Sequence, residues 1–250
     1  MNWILLRGLA RESRHWGDFP RRLRLAIPDA TLHALDLPGC GARHASTSPS
    51  TVEAMVETYR SVLASRGIGA PLHLLGLSLG GMVAASWAVR YPGEVASCVL
   101  VNASMRPWCR WHERLRPRAA LALARLAGVR KAERREARIL ALTSAAPGSH
   151  AAVVEEWAGY SREYPVSTAN TLRQLLAAAR FRAPFRPPMT PLLVLCSRRD
   201  ALVDPACSMR LAHAWSATLA IHPDAGHDLP LDDGDWVAAR IREWLGDIRR

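Results

Sequence analysis

The chain has a single lysine, Lys131, among its 33 basic residues, and no pair of cysteines is spaced Cys-x-x-Cys. The five cysteines, Cys40, Cys98, Cys109, Cys196 and Cys207, are odd in number and scattered, which argues against a disulfide framework and against a zinc site. Cys98 and Cys196 fall inside apolar runs and read as small core residues. No apolar run approaches the roughly 20 residues a bilayer-spanning helix needs, so stable membrane insertion is not expected. The opening stretch, MNWILLRGLARESRHW, lacks a basic leader and its apolar run breaks at Arg7. A signal peptide is therefore not expected, and a cytoplasmic protein is. Neither a glycine-rich phosphate loop nor a cluster of metal ligands is present, so no cofactor or metal is implied.

What is present suits one sizeable domain, or one domain with an insertion: 250 residues, of which 49% are hydrophobic. Short apolar runs alternate with helix-length segments in the first hundred residues. NWILLRG, ATLHALDLPG, PLHLLGLS and VASCVLVNA read as strands, and 51–66 and 79–91 have helical spacing. The strand pattern stops near Ser104. Residues 104–181 read as about four helices, over 117–127, 130–143, 150–163 and 167–181. It returns with TPLLVLCS, a helix over 205–216, the strand ATLAIHP and a last helix over 235–248. Near-continuous apolar strands between helices imply a mainly parallel sheet with helices on both faces. The expected division is an α/β core over 1–103 and 182–250, with a helical lid inserted over 104–181 at the sheet edge where such folds bind ligands.

Gly76-Leu77-Ser78-Leu79-Gly80 lies where a strand pattern becomes a helix pattern. A serine there is either turn chemistry or a nucleophile. The nucleophilic reading has a physical basis: small flanking residues permit a tight turn, and the next helix aims its positive end at the reacting site. A serine hydroxyl needs a base and an orienting carboxylate. Asp200 follows the strand PLLVLCS, and His227 sits in the loop Asp224-Ala225-Gly226-His227-Asp228 after TLAIHP. Asp204 is the second candidate acid, but it precedes Pro205 and reads as a helix cap. His73 falls in a strand, His213 in a helix, and His15, His33 and His44 lie ahead of the serine.

Together with Asp36-Leu37-Pro38-Gly39-x-Gly41, these residues make the chain resemble an α/β-hydrolase over nearly its full length. The resemblance implies a triad of Ser78, Asp200 and His227. It also implies an oxyanion hole from the backbone N–H groups of Leu9 and Leu79. Where relatives often carry His-Gly, this chain has Arg7-Gly8; Arg7 either pairs with a carboxylate such as Asp36 or attracts an acidic substrate group. Serine at the elbow excludes haloalkane dehalogenase chemistry, which uses aspartate. The implied activity is cleavage of a small acyl ester or thioester through an acyl-enzyme. General carboxylesterases, cofactor-free lyases and non-enzymatic receptors on the same scaffold stay open.

Residues 104–181 hold 14 of the 33 basic residues but 6 of the 22 acidic ones, and so carry +8 of the net charge of +11. Arg114, Arg118, Arg134, Arg135 and Arg138 are the candidate contacts for an acidic partner, against the plain alternative of a solvated helix face. No nucleic-acid motif accompanies them. An anionic membrane surface fits less well than an acidic acyl-carrier protein. The layout is also similar to the small esterases that demethylate pimeloyl-carrier-protein methyl ester in biotin synthesis. The helices 117–127, 150–163 and 167–181 carry Leu, Val, Ala and Trp157 on faces that read as walls of an acyl site.

Overall fold

Among the described residues six strands form one sheet in which every hydrogen-bonded neighbour is parallel: β1 (Asn2–Leu6), β2 (Thr31–Leu35), β3 (Leu72–Leu77), β4 (Val95–Val101), β5 (Leu192–Ser197) and β6 (Thr218–His222), in the order β2-β1-β3-β4-β5-β6. All six lie in the runs expected from the sequence. The computed structural model describes residues 1–248; residues 249–250, the end of the expected core segment, lie outside the described residues. The helices are α1 (Phe19–Ala26), α2 (Val52–Ser65), α3 (Leu79–Arg90), α4 (Trp111–Arg114), α5 (Pro117–Arg125), α6 (Ala132–Thr143), α7 (Val153–Glu163), α8 (Thr168–Arg180), α9 (Pro205–Ala214), α10 (Leu229–Asp232) and α11 (Gly234–Asp247).

The alternation of side chains along each strand builds two cores. Ile4, Leu6, Leu72, Leu74, Cys98, Leu100 and Val194 face α2, α3 and α9. Trp3, Leu5, Leu75, Leu77, Val99, Val101 and Leu195 face α1 and α11. Because both faces are covered, the central strands read as unbroken apolar runs rather than alternating ones. No helix was expected between β1 and β2, yet α1 lies there. Its sequence, FPRRLRLA, buries Phe19 and Leu23, one turn apart, and Ile27 just past its end continues the same face.

The strand order reverses at β1 and β3, which are neighbours with Leu6 opposite Gly76. The loops leaving their carboxyl ends therefore diverge over the crevice where open α/β sheets place ligands. Helices α4 to α8 all lie between β4 and β5 in the chain. No helix among the described residues is long and apolar enough to cross a membrane.

Candidate active site

Ser78 joins β3 to α3 with φ 57° and ψ −114°, in the left-handed region that non-glycine residues seldom enter. The turn is tight enough to require its glycines. A Cβ on Gly76 would run into the Gly80 carbonyl, and one on Gly80 into the Leu6 carbonyl. The Ser78 hydroxyl does not cap its own helix. Leu79, the first residue of α3, presents an N–H with no intrahelical acceptor. The loop after β1 closes on this turn: a Cβ on Gly8 would sit 3.4 Å from Ser78 Cβ and 3.9 Å from Ser78 Oγ. Leu9, the other candidate backbone donor, follows directly.

Asp200 and His227 leave the ends of β5 and β6 and meet. His227 Nδ1 lies 2.7 Å from Asp200 Oδ2, with the side chains 8% and 1% exposed. The second oxygen of Asp200 accepts the N–H groups of Leu202 (2.8 Å) and Val203 (2.9 Å), so the carboxylate is aimed by its own turn. Asp204 instead accepts the N–H of Ala206 at 2.9 Å as the cap of α9. Gly226 is needed where it stands, because a Cβ there would lie 2.7 Å from the Ala145 nitrogen. His73 is occupied elsewhere, hydrogen-bonded to Ser97 and stacked on Trp3.

A family model described as the alpha/beta hydrolase family matches residues 3–240. The chain belongs to the alpha/beta hydrolase family. It is similar to the pimeloyl-[acyl-carrier protein] methyl ester esterase of Chromobacterium violaceum, at 35% identity over 92 residues, 37% of this chain and 34% of that protein. It is also similar to the putative carbamate hydrolase RutD of Serratia proteamaculans, at 29% over 178 residues, 69% of this chain and 65% of that one. The chain thus spans about a third of the first relative and under two thirds of the second. Among solved structures, the putative non-heme bromoperoxidase BpoC of Mycobacterium tuberculosis superimposes with a TM-score of 0.77 at 22% identity, over 99% of this chain and 92% of that one. A thermophilic esterase of Thermogutta terrifontis gives 0.74 at 23%, over 100% and 91%. At these identities the two structures speak for the fold.

In this alpha/beta hydrolase the His227 ring is sealed in. Burial opposes its charge, but Asp200 outweighs that through charge and hydrogen bond; Asp228 adds to the rise and Arg7 subtracts, so the pKa ends above the ordinary 6.5. Asn102, at the end of β4 with φ 47°, ties the site together. Its amide donates to the carbonyls of His227 (2.8 Å) and Gly226 (3.2 Å) and to Ser197 Oγ (3.0 Å), and its oxygen accepts the Ser197 N–H at 2.8 Å. Sequence reasoning passed over Asn102, although an asparagine closing the apolar run VASCVLVN was a signal of strand-end hydrogen bonding. Arg7 pairs with Asp228, at 2.7 and 3.1 Å, and not with Asp36. Asp36 is taken by the N–H groups of Ser13 (2.7 Å) and Ala42 (3.1 Å).

The inserted helices reach the site through polar contacts. Gln174 on α8 is fully buried and accepts the N–H of Ala10 at 2.8 Å. Ala10 itself has φ 52°, so the residue after Leu9 is held in a left-handed conformation. Glu136 on α6, 2% exposed, accepts from Arg11 at 2.7 Å. Trp157 on α7, expected to wall an acyl site, lies under the Arg11 guanidinium at 4.4 Å and beside His15. Arg114 stands apart from the other arginines expected to meet an acidic partner. Its guanidinium donates to the carbonyls of Ala178 and Ala179 at the end of α8, and burial lowers its pKa. Arg118, Arg134 and Arg138 are exposed, and Arg135 is half-buried against Glu136.

Proposed function

We propose that this hydrolase cleaves carboxylic esters or thioesters through an acyl-enzyme on Ser78. The observation that carries the reading is the buried 2.7 Å contact between Asp200 and His227 at the sheet edge where Ser78 stands in its left-handed turn. His227 Nε2 takes the Ser78 proton as Oγ bonds to the carbonyl carbon. Charge on the carbonyl oxygen is stabilised by the N–H groups of Leu9 and Leu79, the latter at the positive end of α3. His227 then gives its proton to the leaving alkoxide or thiolate, and the C–O or C–S bond breaks. Water attacks the acyl-serine, His227 takes its proton, and Ser78 leaves as the hydroxyl. Asp200 keeps Nδ1–H pointing away from the reaction, so Nε2 faces the serine.

The finer reading is a substrate delivered by an acidic acyl-carrier protein, such as pimeloyl-carrier-protein methyl ester. It is supported by the likeness to the Chromobacterium esterase. It is supported also by a surface pocket of about 410 Å³ lined by Arg125, Arg130, Lys131, Arg134 and Arg138. Facing cations with no carboxylate among them favour an acidic guest.

A fluorophosphonate should label the protein at Ser78, and Ser78→Ala should abolish labelling. A screen of p-nitrophenyl esters and acyl thioesters should show turnover that rises from acetyl to medium chains. Absence of both labelling and turnover would leave a ligand-binding protein on a hydrolase scaffold.

A further inference from the structure

Arg7 and Asp228 are 221 residues apart in the chain and meet beside the site. Arg7 follows β1 and precedes the Gly8-Leu9 turn that lies against Ser78. Asp228 follows His227 directly. Two guanidinium nitrogens of Arg7 reach the two carboxylate oxygens of Asp228, at 3.1 and 2.7 Å, in the two-pronged geometry that fixes direction as well as distance. The side chains are 3% and 5% exposed. Both ends are further braced. The Arg7 guanidinium lies 4.8 Å over the Trp16 ring, and the Asp228 N–H donates to the Thr143 carbonyl at 2.7 Å.

Such a pair is a poor way to gain stability. Desolvating two charges offsets most of their attraction, and an apolar pair of similar volume often serves as well. Here Arg7 Nε is also buried without a hydrogen-bond partner among the described residues. What the pair supplies is geometry. It links the loop carrying the base, which acts on the Ser78 proton, to the loop carrying the Leu9 donor, which acts on the oxygen of the carbonyl that Ser78 attacks.

We propose that Arg7 and Asp228 are positioning residues that clamp the His227 loop to the Leu9 loop, so that base and oxyanion donor stay in register. The inference rests on the esterase reading. The clamp touches no substrate, so its loss slows the chemical step and leaves binding largely intact. A misplacement of about 1 Å at a reacting group costs up to roughly 10²-fold.

The test measures kcat and KM on a small p-nitrophenyl ester for Arg7→Lys, Asp228→Asn and the double variant Arg7→Leu/Asp228→Leu. The double variant leaves no charge buried alone, so its melting temperature should stay nearer the wild type than that of Asp228→Asn. All three should lose about 10- to 100-fold in kcat with KM changed by less than about threefold. A folded double variant with wild-type kcat would overturn the clamp. A readout independent of turnover is the titration of the His227 ring by NMR. The charged groups facing that ring are Asp200, Asp228 and Arg7. Asp228→Asn should shift its titration to lower pH and Arg7→Gln to higher pH; no shift in either would sink the coupling. If the wild type neither labels nor hydrolyses, it is the esterase reading that fails; a wild type that turns over beside a folded double variant of equal kcat fails the clamp alone.

Discussion

The strands of the sheet and the inserted helices bury different things. Trp3, Leu5, Leu75, Val99 and Leu195 are essentially inaccessible. By contrast α8 buries Asn170, Gln174 and Ala177, and α6 buries Glu136 and Leu140, while Leu121, Leu172 and Leu176 stay 53%, 59% and 39% exposed. The sheet is held by apolar contact, which has no direction and is spread over many residues. The inserted helices are attached by hydrogen bonds and ion pairs: Gln174 to Ala10, Glu136 to Arg11, Asn170 to Ser46 and Ser48. Directional bonds are few and fix angles, so this region sets the posture of the loops at the site while contributing little core. A single substitution should therefore do more specific harm in the insertion's buried polar positions than on its apolar surface, while the largest losses of turnover should come from the residues at the sheet edge.

The sharpest challenge to that division is Ser78→Ala, which should lower kcat by about 10⁶ with no loss of melting temperature. His227→Ala should match it. Substantial turnover in either folded variant would move the chemistry elsewhere.

The two aspartates after β5 should separate next. Asp200→Asn should cost roughly 10⁴ in kcat through the wrong imidazole tautomer. Asp204→Asn should keep activity and lose about 1 kcal/mol or less of stability as a weakened helix cap, measured by denaturant unfolding. Reversed effects would assign the acid to Asp204.

On α8, Gln174→Ala should destabilise by about 1–3 kcal/mol, because the Ala10 N–H is left without its acceptor. It should also lower kcat about tenfold through the freed Leu9 turn. Leu172→Ser, on the same helix but 59% exposed, should stay within about 0.5 kcal/mol of wild type. Equal effects would break the contrast between directional and apolar attachment.

Reversing Arg118, Arg134 and Arg138 to Glu should lower kcat/KM several-fold for an acyl-carrier substrate and leave a soluble ester of the same chain unaffected. Added salt should imitate the reversal, since exposed charges are screened beyond about 8 Å at physiological ionic strength. Equal losses on both substrates would give these arginines a structural role.

The smallest effect is on pH. Because folding raises the His227 pKa above 6.5, the acid limb of kcat/KM should lie above that value. The stability from the charged ring is full below the unfolded value of 6.5 and fades as pH rises through the folded one. The melting-temperature gap between wild type and His227→Gln should therefore be wider at acid than at alkaline pH. A gap that widens with rising pH would contradict the raised value.

The six strands were legible because each is an apolar run short enough for a sheet and bounded by turn residues. Helix α1 was passed over although Phe19, Leu23 and Ile27 recur every four residues and are buried together, because four arginine and proline positions between them break the apolar run. Asp200 and His227 stood out by chain order after strands, and they lie 2.7 Å apart. Asn102 and Gln174 did not stand out, because nothing near them in the chain reveals the carbonyl or N–H they meet.

By itself the sequence determined the local matters: the parallel α/β pattern, the glycines that let Ser78 enter a left-handed turn, the cap at Asp204, and the charge gathered in residues 104–181. Each depends on neighbours within a few residues. Tertiary structure alone decided the partners: that Arg7 takes Asp228 and not Asp36, that Arg114 is spent on α8 carbonyls, and that Gln174 holds Ala10. A buried polar group must bond to something, but which group lies within 3 Å is set by how strands and helices pack, and chain spacing carries no record of it.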